Sequence, residues 1–217
     1  MMQYLDAYLD DELVGRFSKD ANDEIHFEYL NSESPQISLS LPNNQAWPKN
    51  APSRFLNNLL PEHPLVRQNM VRALGAKSTE TFDLLEVVGD DIAGGLILVP
   101  PDVSPTEYPE RLRPASTDDI AFRIDQLKLN PDSWYDSDVK PRFSLAGAQP
   151  KFALAMLEGN WYWSSKTHPS AHILKPESVE TPFAQQIEVA TMALSRAVGI
   201  ETPDAFEETF FDQSVYR

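Results

Sequence analysis

The sequence contains no cysteine among its 217 residues. This absence excludes disulfide bonds, thiolate metal sites and a cysteine nucleophile, and it favours a reducing intracellular environment. The N-terminus also lacks a basic segment followed by an apolar run, and no stretch approaches the roughly 18 consecutive apolar residues of a membrane span. We therefore expect a soluble, cytoplasmic protein without a membrane segment.

Basic residues are few relative to acidic ones: 18 lysines and arginines stand against 33 aspartates and glutamates, a net charge of -15. An acidic surface repels phosphate backbones, so we expect no direct binding to nucleic acid. Such a surface suits a basic partner, although solubility alone also explains it. Hydrophobic residues make up 41% of the chain, which is enough for a folded core.

The first hundred residues show two kinds of hydrophobic periodicity. Alternation with a period of two predicts strands at residues 4–9, 13–17, 25–30 and 37–41, with a turn at Asp10-Asp11. Helical spacing predicts helices at residues 55–60, 65–74 and 82–88, followed by a buried strand at 94–100. These elements indicate an α+β subdomain over residues 1–104, in which helices accompany a small antiparallel sheet or barrel.

A proline-rich segment follows this subdomain. Five prolines occur between Pro100 and Pro114, which is typical of a linker. Ser116 is suited to cap a helix that runs to about Leu129. We therefore assign residues 105–141 to a linker with a connecting helix, and residues 142–217 to a second unit.

The second unit begins with a short run of small residues between two predicted strands. Ser144, Ala146, Gly147 and Ala148 are all small, and such a run lets backbone N–H groups approach an anion closely. A plain hairpin bend has the same composition, so the run alone leaves both interpretations open. Predicted strands at residues 152–157 and 161–163 follow it.

A lysine on a strand and a glutamate on a helix come next. Lys175 ends a short apolar strand, and a helix predicted from Thr181-Pro182 to about Val198 carries Glu188. Kinases hold ATP phosphates with a strand lysine that pairs with a helix glutamate. An ordinary surface lysine is the alternative. The same helix has an apolar stripe that we expect to be buried: Ile187, Ala190, Met192, Ala193, Leu194 and Ala197.

Five separated segments, in this order along nearly the whole chain, resemble the family of HipA toxins. They are Phe55–Pro61, Pro64–Arg67, Phe82–Leu85, Ser144–Lys151 and His172–Pro176. The resemblance implies an N-terminal HipA subdomain followed by a protein-kinase-like N-lobe, which consists of an antiparallel sheet with one helix.

The resemblance also implies a function. HipA toxins are bacterial serine/threonine kinases of toxin–antitoxin systems that use ATP and Mg²⁺, with glutamyl-tRNA synthetase as the best-known target and the helix-turn-helix protein HipB as the antitoxin. Ser144 matches the serine whose autophosphorylation switches the toxin off, and Glu188 is the match for the lysine's partner, with Glu177 and Glu180 as nearby alternatives. The implied ATP-binding residues are Ser144, Ala146, Gly147, Ala148, Gln149, Lys151, Lys175 and Glu188.

The residues after Glu188 lack the rest of a kinase site. Phosphoryl transfer also needs an aspartate that orients the hydroxyl, together with an asparagine and a second aspartate for Mg²⁺, yet no asparagine follows Asn160. We therefore expect a truncated kinase that is inactive by itself, with no catalytic residue and no metal ligand in this chain. The alternative function is a non-catalytic module that binds the antitoxin or supports a split toxin.

Overall fold

The computed structural model describes most of the chain. The described residues are 2–90, 92–93, 95–105, 113–131, 149–163, 170–177 and 182–217. They form two antiparallel sheets accompanied by five helices. The predicted α+β class is therefore confirmed. Within these described ranges, no helix has both the length and the apolar character needed to cross a bilayer.

The first sheet has four strands and is built from the N-terminal hundred residues. The strands are β1 (Gln3–Leu9), β2 (Glu12–Lys19), β3 (Ile25–Tyr29) and β4 (Leu96–Val99), in the order β3-β2-β1-β4. Asp10 and Asp11 connect β1 to β2 with φ angles of 49° and 65°. Two consecutive left-handed residues match the right-handed twist of a hairpin, and aspartate tolerates that conformation better than most residues.

Three helices lie between β3 and β4 in sequence and pack against this sheet. They are α1 (Ala51–Asn57), α2 (Pro64–Leu74) and α3 (Thr81–Val88). Local signals set the ends of α2: Pro64 has the backbone angle that a first helical residue needs, and Gly75 ends the helix with a φ of 73°. Apolar side chains from all three helices are buried in one core with Leu5 and Phe17 of the sheet.

The second sheet has six strands. They are β5 (Arg113–Pro114), β6 (Phe152–Leu157), β7 (Asn160–Trp163), β8 (His172–Pro176), β9 (Glu207–Phe210) and β10 (Gln213–Tyr216), in the order β5-β7-β6-β8-β10-β9. Arg113 and Pro114, which were assigned to the linker, form the edge strand β5 by pairing with β7. The predicted boundaries at residues 104 and 141 stay predictions.

Two helices accompany the second sheet: α4 (Thr117–Leu129) and α5 (Ala184–Ala197). Ser116 caps α4 as predicted, and the cap is reciprocal. The Ser116 hydroxyl accepts the Asp119 N–H at 3.1 Å, while the Asp119 carboxylate accepts the Ser116 N–H at 3.0 Å. Ile120 and Ile124 of α4 are fully buried and belong to the same core as both sheets.

The strand predicted over residues 37–41 is wrong. Ser38 and Leu41 form only an isolated bridge, and the Ser38 and Ser40 hydroxyls lie 2.9 Å apart within hydrogen-bonding distance. Leu39 is 92% exposed, whereas Leu41 is fully buried. Serine hydroxyls that bond locally offer the backbone an alternative to a strand ladder, so a tight turn produces the same alternation of residues.

The predicted start of α5 and its predicted buried stripe are also wrong. The helix begins at Ala184, after Phe183 in a left-handed conformation with a φ of 64°, and Thr181 lies outside the described residues. Only Gln185 of α5 is buried, while Ile187 and Leu194 are more than 60% exposed. Periodicity identifies an apolar face of a helix but does not say what covers it.

Candidate functional site

Lys175 lies in a row of side chains that crosses three neighbouring strands. Leu174 of β8 is fully buried, so the alternation of a strand turns Lys175 to the opposite face. The pairing of Phe152 with Leu174 places Lys151 opposite Lys175, and Tyr216 of β10 pairs directly with Lys175 on the other side. The row therefore reads Lys151, Lys175, Tyr216 across β6, β8 and β10.

Glu188 of α5 reaches this row and pairs with Lys175. The Lys175 ammonium nitrogen lies 2.8 Å from Oε1 and 2.9 Å from Oε2 of Glu188. Both side chains are about one quarter to one third exposed, at 26% and 31%. The Lys175 nitrogen also lies 5.0 Å from the centre of the Tyr216 ring, which is within the range of a cation–π contact. The carboxylate and the ring together restrict the ammonium to one position.

Lys151 is the second cation of the site, and it is buried with 7% exposure. Its ammonium nitrogen donates to the carbonyl oxygen of Gln149 at 3.1 Å. Burial, and then the positive charge of Lys175, lower the pKa of Lys151 to about 8, although Glu188 and Glu62 act in the opposite direction. Two positive charges therefore lie close together at this corner of the sheet.

A pocket that encloses about 20 Å³ lies beside Lys175 and Tyr216. Its lining includes Gln149, Pro150, Lys175, Gln185, Glu188 and Tyr216. Burial and the charge of Glu188 raise the pKa of Tyr216, so this phenol stays neutral at ordinary pH. Among the described residues, Glu188 supplies the one carboxylate of the lining, and it is engaged by Lys175.

Only part of the predicted site lies within the described residues. Gln149, Lys151, Lys175 and Glu188 lie at or beside the pocket. Four predicted residues lie outside the described part of the chain: Ser144, Ala146, Gly147 and Ala148. Of the two alternative partners for Lys175, Glu180 also lies outside it, and the structure gives the pairing to Glu188. The ATP-binding roles of all these residues stay predictions.

Two pocket residues were missed by the sequence analysis. Gln185 lies one helical turn before Glu188, a spacing that puts both side chains on the same face of α5. Tyr216 stands opposite Lys175 in the register of β8 and β10, a relation that only the sheet pairing reveals. The helical spacing was therefore a usable signal for Gln185, whereas no local signal identified Tyr216.

Possible metal ligands cluster elsewhere in the described part of the chain. Asp20, Glu24 and His26 have ligand atoms within 4.8 Å of one another. They lie on and beside β3 of the first sheet, and none of them lines the pocket at Lys175. The pocket lining supplies one lysine and one carboxylate that pair with each other, and with Lys151 nearby this set suits phosphates better than a divalent cation.

Two family models match the chain. The model of the HipA N-terminal domain matches residues 5–99, and the model of the HipA-like C-terminal domain matches residues 143–216. Together they cover nearly all of the first sheet, the second sheet except β5, and the row of site residues.

Individual relatives agree with these matches. The chain is 30% identical to the serine/threonine-protein kinase toxin HipA of Shewanella oneidensis, over 90% of this chain and 45% of that protein. It is 31% identical to Y4mE of Sinorhizobium fredii, which is named as a kinase, over 92% of this chain and 49% of that protein. The chain thus spans about half the length of these relatives.

A solved structure shows the same fold. The complex of HipA, HipB and its operator DNA from Shewanella oneidensis contains a chain that matches with a TM-score of 0.75 and 28% identity. The match covers 98% of this chain and 49% of the other. Family models, sequence relatives and three-dimensional structure all agree, and on these grounds the chain belongs to the HipA family.

Proposed function

We propose that this chain provides the ATP-holding part of a toxin kinase that phosphorylates serine or threonine on a protein, such as glutamyl-tRNA synthetase. The observation that carries the proposal is the two-oxygen ion pair between Lys175 and Glu188 beside the buried Lys151. Kinases use a strand lysine, fixed by a helix glutamate, to hold nucleotide phosphates. A second lysine opposite the first increases the attraction for a polyanion.

The pocket encloses only about 20 Å³, so its charge rather than its volume is what suits phosphates. We therefore assign the triphosphate to the region of Lys151 and Lys175. By the family resemblance, the small-residue run at Ser144, Gly147 and Ala148 would bind the phosphates, and phosphorylation of Ser144 would repel them by its added negative charge.

Magnesium would neutralise the phosphate oxygens during transfer, and its ligands in kinases are an aspartate and an asparagine. In the part of the chain that the structure describes, Glu188 is the one carboxylate that lines the pocket, and it pairs with Lys175. We propose that the 217 residues alone bind nucleotide weakly and do not transfer phosphate. The aspartates and the asparagine would come from residues beyond these.

A HipB-like antitoxin is the proposed protein partner. The similar HipA chain was solved together with HipB and operator DNA, and the resemblance extends over 98% of the present chain. The same observation favours a second candidate function, in which these residues bind the antitoxin without holding ATP. The expectation of no direct contact with nucleic acid stays a prediction.

The test measures ATP binding by the 217-residue chain with ligand-detected NMR, which reports dissociation constants up to the millimolar range. We expect Lys175→Met to weaken ATP binding by about tenfold or more, because a charge-assisted contact to phosphate is lost. Lys77→Met is the matched control. Lys77 pairs with Glu86 on the first sheet's side of the molecule, at 2.6 Å, and does not line the pocket.

Equal ATP affinities for the two lysine variants would contradict the placement of the triphosphate. Absence of ATP binding at millimolar concentration, combined with tight binding of HipB from Shewanella oneidensis, would favour the antitoxin-binding function instead. Both measurements use the same protein preparation, so a folding defect would show in both.

A further inference from the structure

Gln185 is the only buried residue of α5. Its exposure is 3%, whereas Ile187 and Leu194 of the same helix are 62% and 65% exposed. Helices are usually held to a sheet by an apolar face. This helix is instead anchored at its first turn by a polar side chain, one turn before Glu188.

The Gln185 amide makes three hydrogen bonds, all of them to the sheet. Its Nε2 donates to the carbonyl oxygen of Ser214 at 2.9 Å and to that of Lys175 at 3.4 Å. Its Oε1 accepts the Ser214 hydroxyl at 3.2 Å. Two donors and one acceptor are therefore used, and their pattern determines the orientation of the amide.

The amide sits where β8 and β10 meet. Only two residue pairs join these strands, Val215 with Pro176 and Tyr216 with Lys175. Gln185 bonds to the backbone of Lys175 and of Ser214, so it ties both strands to the helix at that junction. From the same helix face, Glu188 bonds to the ammonium of Lys175. Lys175 is thus held by α5 at both ends, through its carbonyl oxygen and through its nitrogen.

We propose that Gln185 is a positioning residue that sets the approach of Glu188 to Lys175. Its three hydrogen bonds go to the backbone of Lys175 and to Ser214 rather than to the ammonium group, and it acts by fixing the first turn of α5 against the paired strands. The inference about the ion pair stands on geometry alone. Its consequence for ATP affinity rests on the proposed function.

A merely structural anchor would stabilise the fold without controlling the ion pair. The two roles are separated by the accessibility of the Lys175 nitrogen, which can be measured without nucleotide. Acetic anhydride modifies lysine nitrogens that are not held in contacts, and mass spectrometry quantifies each lysine separately. Lys49, which pairs with Glu24 on the first sheet, serves as the internal reference.

The variants are Gln185→Met, Glu188→Gln and the combination of both. Methionine has nearly the same shape as glutamine but cannot form the three hydrogen bonds. Gln186→Met is the matched control, because Gln186 is exposed on the next position of the same helix and donates to Glu207 at 3.0 Å.

We expect labelling of Lys175, relative to Lys49, to rise about threefold in Gln185→Met, a factor that corresponds to the loss of a partly exposed ion pair. Glu188→Gln should produce a similar rise, and the double variant should add nothing further, because both changes act on one contact. Gln186→Met should leave the labelling unchanged. Unchanged labelling in Gln185→Met, with a rise in Glu188→Gln, would overturn the proposal, as would fully additive effects.

If Gln185→Met does not fold, as judged by circular dichroism, Ser214→Ala replaces it. That variant removes the hydroxyl that reaches both the Gln185 oxygen, at 3.2 Å, and the Glu207 carboxylate, at 3.1 Å, and a smaller rise in Lys175 labelling is expected. No rise would overturn the proposal. ATP affinity is then measured on the same variants. Raised labelling with unchanged ATP affinity would retain the role of Gln185 and reject the proposed function at this site.

Discussion

Lys151 and Lys175 face each other because β6 and β8 pair in a register that puts both lysines on the same face of the sheet. A shift of one residue in either strand would turn one lysine into the core. Like charges on opposing strand positions are unfavourable for folding. A bound polyphosphate would offset the repulsion between the two ammonium groups.

The charge of Lys151 predicts how anion binding depends on pH. Its pKa is lowered to about 8, so the ammonium form dominates below that value and is lost as pH rises through it. The terminal phosphate of ATP is already ionised in this range. We expect ATP affinity to fall about tenfold between roughly pH 7 and pH 9, as the protonated fraction of Lys151 falls. Titration calorimetry at both pH values measures this.

Lys151→Met provides the comparison for this experiment. The variant lacks the titrating group, so it should bind ATP more weakly at neutral pH and show a much smaller decline towards alkaline pH. Equal affinities of the unmodified chain at both pH values would mean that Lys151 does not contribute its charge to binding.

The elements with strong local signals agree with the sequence prediction. Pro64 and Gly75 mark the ends of α2, and Ser116 marks the start of α4. Proline, glycine and serine act there through their own backbone angles or hydroxyl group, so no distant contact is needed. The start of α5 has no such signal: Phe183 precedes the helix in a left-handed conformation and makes no side-chain cap.

The cap of α4 is testable at the scale of one element. Ser116→Ala removes the hydroxyl acceptor for the Asp119 N–H, and we expect the free energy of unfolding to fall by about 1 kcal/mol. Ser116→Asp keeps an acceptor at the same position and should lose much less. Urea unfolding followed by circular dichroism measures both variants. Equal losses would show that the hydroxyl hydrogen bond does not stabilise the helix.

At the scale of the whole molecule, the two sheets and their helices share one continuous core. Leu154 of β6 is fully buried in it, and Ile120 and Ile124 connect it to α4. The exposed face of α5 lies outside this core, since Ile187 and Leu194 are 62% and 65% exposed. Apolar residues of similar type therefore contribute very differently to stability in this protein.

A pair of leucine substitutions tests this contrast. Leu154→Ala should lower the free energy of unfolding by about 2–5 kcal/mol, because it removes buried methyl groups and leaves a cavity. Leu194→Gln should change it by no more than about 0.5 kcal/mol, as is usual for exposed positions. Denaturant unfolding of the 217-residue chain gives both values. A large loss for Leu194→Gln would show that its side chain is covered in solution.

The sequence by itself determined the β1–β2 hairpin and the capped helices. It also determined that Lys175 lies on a strand and that Glu188 lies on the helix that follows it. These features depend on periodicity and on residues with special backbone preferences, which act over a few positions. The same periodicity misled at residues 37–41 and on the apolar face of α5. In both places, contacts beyond the local segment settle whether a side chain is buried.

The tertiary structure alone decided how the site is put together. The register of β6, β8 and β10 places Lys151, Lys175 and Tyr216 in one row, and the anchoring of α5 through Gln185 brings Glu188 to it. Strand register depends on pairing between distant segments, such as Phe152 with Leu174 and Lys175 with Tyr216. Residue types and their spacing along the chain do not reveal that pairing, because the pairing register is selected by burial of the whole sheet face.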